Sequence, residues 1–251
     1  MLVTIGEELF AERFGAPPAV VLALPGWMRT RNDFDRVLGG LDALSVDLPG
    51  FGGASPAAAA SVTSASYADR LAPALASAVL AKRFVVVAHS FGGRVAAHLA
   101  ARHPDRVAGL VISAAPLLPR DDRPPPNVSR LHRVARWANQ HGIVSDDRLE
   151  ARRRRHGSAD YRNATGAMRS LLVNVVRESY DDELRTIAAA RMPTELVWGS
   201  RDADVPVRTA ERLMTVLGDT TRLTVVDGVG HLVPLEAPDA LRAAIDRLLA
   251  R

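Results

Sequence analysis

Apolar residues along this chain come in short, dense runs. The stretches 19–24, 41–46, 84–88, 107–112, 194–198 and 222–226 are apolar at almost every position and rich in β-branched residues. A strand covered on both faces reads this way, so these runs predict parallel strands of a buried sheet. Between them the apolar period lengthens to that of a helix, over 67–80, 93–102, 207–217 and 238–249. Strand–helix alternation of this kind predicts a parallel α/β sheet. Residues 2–5 and 9–14 predict a short hairpin at one edge.

One stretch breaks the alternation. From 117 to 191 there is no good strand pattern. It opens with Pro119 and the Pro124-Pro125-Pro126 run, which cannot enter a helix interior. Helical spacing follows at 129–141, and Gly142 suits the position after a helix end. Ser145-Asp146-Asp147 looks like a helix start, and Gly157 like the next stop. A further helix is expected at 167–176. Residues 1–116 and 192–251 therefore read as one α/β core, with 117–191 as a helical lid inserted between two late strands.

Composition narrows the function classes. The chain has 251 residues, 47% of them hydrophobic and 24% charged, which fits a globular protein with a large core. It has no cysteine, so a disulfide framework, a thiolate metal site and a thiol nucleophile are excluded. The N-terminus lacks a basic region followed by an apolar stretch, and no apolar run approaches about 20 residues. A cytoplasmic protein without a membrane partner is the expectation. The net charge is only +4, too little for a nucleic-acid footprint. Its placement is uneven: residues 120–162 hold 11 Arg against 6 acids, densest at Arg152-Arg153-Arg154-Arg155. Such a run is either a solvated helix face or an attractor for an acidic substrate or protein.

The candidate chemistry starts at Val85-Val86-Val87-Ala88-His89-Ser90-Phe91-Gly92-Gly93. A buried strand enters a small–x–Ser–x–Gly turn and leaves as an Ala-rich helix. A serine on such a turn stands clear of the sheet, small neighbours let strand and helix backbones pass closely, and the helix N-terminus favours a developing anion. A nucleophilic serine needs a base, and the base an orienting acid. His231 sits in a Gly-flanked loop after the last strand. His89 beside the turn and His98 and His103 on its helix are explained by packing or capping, and His132, His141 and His156 are expected on the surface of the inserted stretch. Asp202 follows the preceding strand at a suitable distance. Asp204 competes with it, although it also suits a cap for the helix after Pro206. The order Ser, Asp, His is that of hydrolases built on this turn. The backbone N–H groups of Phe91 and Trp27 are the candidate oxyanion donors, Trp27 lying in the loop after the 19–24 strand.

These motifs resemble the α/β-hydrolase-fold serine hydrolases over nearly the whole chain. The match runs through Leu-Pro-Gly-Trp at 24–27, the Asp47-Leu-Pro-Gly-Phe-Gly-Gly turn, the serine turn, Gly199-x-x-Asp202 and Gly230-His231 with Glu236-x-Pro238. The resemblance implies a mostly parallel central sheet flanked by helices, and a carboxylesterase-like two-step acyl transfer needing no metal or cofactor. Two positions depart from the pattern. Pro25 stands where the oxyanion loop usually has His, and Ala88 stands where the turn usually begins with Gly. A serine nucleophile argues against haloalkane dehalogenase and epoxide hydrolase relatives, and the missing Gly-Gly-Gly loop against enzymes for tertiary-alcohol esters. A small ester is the expected substrate. A C–C bond hydrolase, a thioesterase or lactonase, a carrier-protein methyl-ester esterase meeting its acidic carrier through the Arg-rich lid, and a slow ligand-binding receptor are the alternatives. Trp137, Met168, Leu171, Leu172 and Val175 are candidates for an apolar acyl pocket. Asp47 and the glycines at 50–53 read as architectural.

Overall fold

Alternate residues of each central strand enter opposite cores. Leu22, Leu24, Val86, Ala88, Leu110, Ile112, Leu196 and Trp198 face one apolar cluster. Val21, Ala23, Val85, Val87, Val111 and Val197 face the other. This is the period of two expected of a pleated strand, with both faces covered. The computed structural model describes residues 1–5, 9–54, 63–71, 74–75, 77, 79–119 and 166–251. Among these, eight strands form one sheet: β1 (Leu2–Ile5), β2 (Leu9–Phe14), β3 (Ala19–Leu24), β4 (Ala43–Val46), β5 (Leu80–His89), β6 (Val107–Ser113), β7 (Thr194–Gly199) and β8 (Thr221–Val226). Their spatial order is β1-β2-β4-β3-β5-β6-β7-β8. The β1–β2 and β2–β4 pairings are antiparallel, and every later pairing is parallel.

Helices cover both faces. α1 (Asp35–Leu38) belongs to the second cluster. α2 (Ser64–Arg70), α3 (Phe91–Arg102), α4 (Gly166–Val175), α5 (Asp181–Ala189) and α6 (Val207–Leu217) pack on the first. After the short α7 (Val233–Glu236), the final helix α8 (Pro238–Leu249) buries Leu241, Ala244, Ile245 and Leu248 on the second face. α5 packs against α3 and α6. No helix among the described residues is long and apolar enough to cross a membrane.

The boundaries that differ most from the sequence expectation lie between 63 and 84. The helix expected over 67–80 begins earlier, at Ser64, because Thr63 and Ser66 form a reciprocal capping box. It stops after Arg70, and Leu80 already opens β5, whose polar start (Lys82, Arg83) hid its full length. The expected 129–141 helix, the starts and stops at Gly142, Ser145 and Gly157, Trp137, the histidines 132, 141 and 156, and Arg152–Arg155 lie outside the described residues.

The Asp47 turn is architectural in its contacts. Asp47 is fully buried and accepts from the Arg31 amide at 2.8 Å, the Arg31 guanidinium and the Gly53 amide. A Cβ on Gly52 would fall 2.4 Å from its carboxylate.

Candidate active site

β5 delivers Ser90 at the carboxyl end of the sheet, where α3 begins. Ser90 has φ 50° and ψ −111°, a left-handed backbone that disfavours any side chain. Its surroundings hold it there. The Ser90 amide donates to Ser113 O at 2.8 Å, and its carbonyl accepts from the Gly93 amide at 3.0 Å. The turn also needs its glycines by contact. A Cβ on Gly92 would sit 2.2 Å from Leu24 O and 2.6 Å from Pro25 O, and one on Gly93 would sit 2.4 Å from Ala115 Cβ.

β7 ends in the turn that carries Asp202. The turn is pinned by the buried Trp198 indole, which donates to Val205 O at 2.7 Å. Asp202 is buried, and its Oδ1 accepts from the amides of Asp204 (2.9 Å) and Val205 (2.8 Å). Its Oδ2 faces His231 Nδ1 at 2.9 Å. The proposed cap by Asp204 is corrected: Pro206 itself is the N-cap of α6, and no side chain caps it. Asp204 stands two residues too early for that role and lies on the cavity wall beside Asp202.

β8 leads to the His231 loop. The loop is tied to the Asp202 turn, because the Ser200 and Arg201 amides donate to Val226 O and Val229 O, both at 2.9 Å. Glu236 brackets the histidine, accepting from the Gly230 amide at 2.7 Å and the Leu232 amide at 3.2 Å. In the sequence Glu236 was only part of a spacing; its signal was an acid placed to reach back from the next helix. His231 Nε2 lies 3.2 Å from Ser90 Oγ. With Asp202 accepting at Nδ1, the Nδ1–H tautomer is selected and the Nε2 lone pair faces the serine hydroxyl. Serine, histidine and aspartate come from three strands and meet at one edge of the sheet.

His89 packs as expected and also reaches the cavity wall. It is buried, Nδ1 lies 3.1 Å from Ser113 Oγ, and its ring centroid is 5.0 Å from that of His231. Burial pushes its imidazole down to about pKa 3, helped by repulsion from His231 when that ring is protonated and by the Arg29 charge, so it stays neutral. His103 caps α3, and its amide donates to Leu99 O. His98 is buried against Ser64.

Trp27 sits in a turn closed by the Arg29 amide on Gly26 O at 3.2 Å. Its ring stands edge-on to Phe51 (5.3 Å) and Phe91 (5.6 Å). Phe91 is the first residue of α3, so its amide has no acceptor within the helix and points from the positive end of the helix dipole. Trp27, His89, Ser90, Phe91 and His231 all line a cavity of about 790 Å³.

The pocket candidates separate by helix face. Leu172 and Val175 line the cavity, together with Leu117, Leu118 and Pro119 after β6, which the sequence reading missed. Their signal was position, directly beyond the carboxyl end of a parallel strand. Met168 and Leu171 pack into the first core cluster, which Val175 also joins. They share a helical stripe with Val175, and Leu172 lies about 100° around from Leu171. Among the described residues, Asp202, Asp204 and His231 are the one acid–His group within metal-ligating reach. Asp202 and His231 already engage each other, as suits proton transfer.

The chain is also similar to known proteins. A pimeloyl-[acyl-carrier protein] methyl ester esterase of Chromobacterium violaceum is 32% identical over 84% of this chain and 87% of its own length. One from Neisseria meningitidis is 29% identical over 92% of this chain and 94% of its own. The fold matches a thermophilic esterase from Thermogutta terrifontis with a TM-score of 0.68, at 20% identity, covering 99% of this chain and 96% of that one. The profile of the Alpha/beta hydrolase family matches residues 20–244, and the chain is a member of that family of hydrolases.

Proposed function

We propose that the protein is a serine esterase acting on carboxylic esters through a covalent acyl-enzyme on Ser90. The observation that carries this reading is the continuous path from Asp202 Oδ2 to His231 Nδ1 (2.9 Å) and from His231 Nε2 to Ser90 Oγ (3.2 Å), opening on the cavity. His231 takes the Ser90 proton as Oγ attacks the ester carbonyl. Asp202 holds the ring and stabilises the imidazolium. The carbonyl oxygen becomes an anion facing the Trp27 and Phe91 amides; one such donor is typically worth about 10²–10³ in rate. His231 then gives its proton to the departing alcohol, and water repeats the sequence to release the acid. A fluorophosphonate probe tests the reading: it should label the wild type and spare Ser90→Ala. Equal labelling of both, or none of either, would overturn it.

A second, narrower reading has its own support. The two relatives above are named as esterases of a methyl ester on an acyl-carrier protein. The 11 Arg within 120–162 would suit an acidic carrier. On this reading a carrier-linked methyl ester outcompetes the same ester free in solution. Neutralising Arg152–Arg155 should then weaken hydrolysis of the carrier-linked ester and spare the free one. Equal effects on both would leave only the broader esterase.

A further inference from the structure

α4 ends at Val175, and the carbonyls of a helix's last turn have no partner within the helix. Arg94 supplies one from a different element: its guanidinium donates to Val175 O and, at 3.1 Å, to Tyr180 Oη. The guanidinium carbon also stands 5.4 Å from the Tyr180 ring centroid. Arg94 lies in the first turn of α3, four residues beyond Ser90 and so about 6 Å along the helix axis. A cation at a helix C-terminus is favoured, and here it joins the helix of the nucleophile to the helix that walls the cavity.

The join is part of a larger buried set. Tyr180 is 2% exposed, and its hydroxyl donates to Glu178 Oε2 at 2.5 Å. Burial pushes the Tyr180 phenol up, so it stays a donor. Glu178 also accepts from the Ser64 amide at 3.0 Å and from the Ser64 hydroxyl. Ser64 Oγ lies 3.0 Å from His98 Nε2. His98 Nδ1 is 3.0 Å from Glu183 Oε1 but lacks the alignment of a hydrogen bond. Of these bonds, the one from Arg94 to Val175 O is made to α4 itself. Sliding α4 away would break that bond and leave the part-buried guanidinium one acceptor short. Apolar contacts alone would tolerate a small slide, whereas directed bonds do not.

We propose that Arg94 is a positioning residue for acyl-group selection: by tying Val175 and Tyr180 to the nucleophile helix, it fixes the Leu172–Val175 wall of the cavity and so how long an acyl chain fits. This rests on the esterase reading of Ser90. An acetyl group ends beside the serine, but an octanoyl group must pass along that wall.

The test combines Ser90 labelling with KM and kcat for p-nitrophenyl acetate and octanoate. It uses the wild type, Arg94→Met, Arg94→Lys and Tyr180→Phe. The octanoate-to-acetate KM ratio should rise about tenfold in Arg94→Met. It should rise about threefold in Tyr180→Phe, which keeps the bond to Val175. Arg94→Lys should fall between wild type and Arg94→Met, since an ammonium reaches one acceptor without the guanidinium fork. Intact labelling with an unchanged ratio, or with both substrates weakened in parallel, overturns the proposal alone. If Arg94→Met does not fold, an unchanged ratio in Tyr180→Phe and Arg94→Lys does the same. Absence of Ser90 labelling in the wild type overturns the esterase reading, and the proposal with it.

Discussion

Gly199→Ala puts a single methyl group where two backbones touch. A Cβ there would lie 2.2 Å from Gly230 O and 2.3 Å from Val229 O. Ordinary contact begins about 1 Å farther out, so the 229–230 segment must retreat by about that much. Backbone carbonyls cannot rotate away as side-chain ends do, and His231 is the next residue. Its Nε2 is already 3.2 Å from Ser90 Oγ, at the long end of hydrogen-bond range. Another 1 Å removes the contact. Misplacement on this scale typically lowers kcat about 10²-fold, equivalent to about 2.7 kcal/mol of barrier. The overpacking itself should cost about 1–3 kcal/mol of stability. Gly53→Ala is the control, since a Cβ at Gly53 meets nothing within 4 Å. The assay is steady-state hydrolysis of p-nitrophenyl acetate beside thermal unfolding followed by circular dichroism. A Gly199→Ala enzyme with kcat within threefold of wild type and an unchanged Tm would refute the close-approach argument.

Two further predictions concern the neighbours of His231. His89 has its pKa lowered to about 3 in the native protein, against about 6.5 unfolded. Between those values the unfolded chain binds a proton the native chain does not. Stability therefore falls with pH below about 6.5, by about 1.4 kcal/mol per pH unit from this residue, and levels off near pH 3. Urea unfolding from pH 7 to 4 should show that extra slope in the wild type and not in His89→Gln; identical slopes would remove the claim. Glu236→Ala should loosen the bracket around His231 and lower kcat several-fold more than it raises KM, and a pure KM effect would count against a positioning role.

The elements that read clearly from the chain are those whose cause is local. Each central strand is apolar because both faces are covered. Ser90 and Asp202 follow such strands, and His231 follows the half-exposed edge strand β8, each with glycine nearby. What escaped depends on meetings across the fold. The partners Ser64 and Glu178 are 114 residues apart, and Arg94 and Val175 are 81 apart. Nothing near Arg94 in the chain marks it as a helix cap for α4. The Thr63–Ser66 capping box lacks the usual Glu or Gln, so the start of α2 was misplaced. Apolar spacing gives the helical stripe shared by Met168, Leu171 and Val175 without saying which neighbour buries it.

Near Arg94 a second serine, histidine and carboxylate stand in the order of the first: Ser64 Oγ is 3.0 Å from His98 Nε2, and His98 Nδ1 is 3.0 Å from Oε1 of the part-exposed Glu183, without the alignment of a hydrogen bond. Distances alone would name it a second reactive centre. Yet Ser64 is sealed from solvent, while Ser90 rides a left-handed turn over an open cavity. The Ser64 hydroxyl also donates to Glu178, so it is neither within reach of a reagent nor free to donate to its histidine. An excess of an organophosphorus reagent should accordingly stop at one equivalent per chain, because Ser90 alone combines an open cavity with a histidine held by its carboxylate.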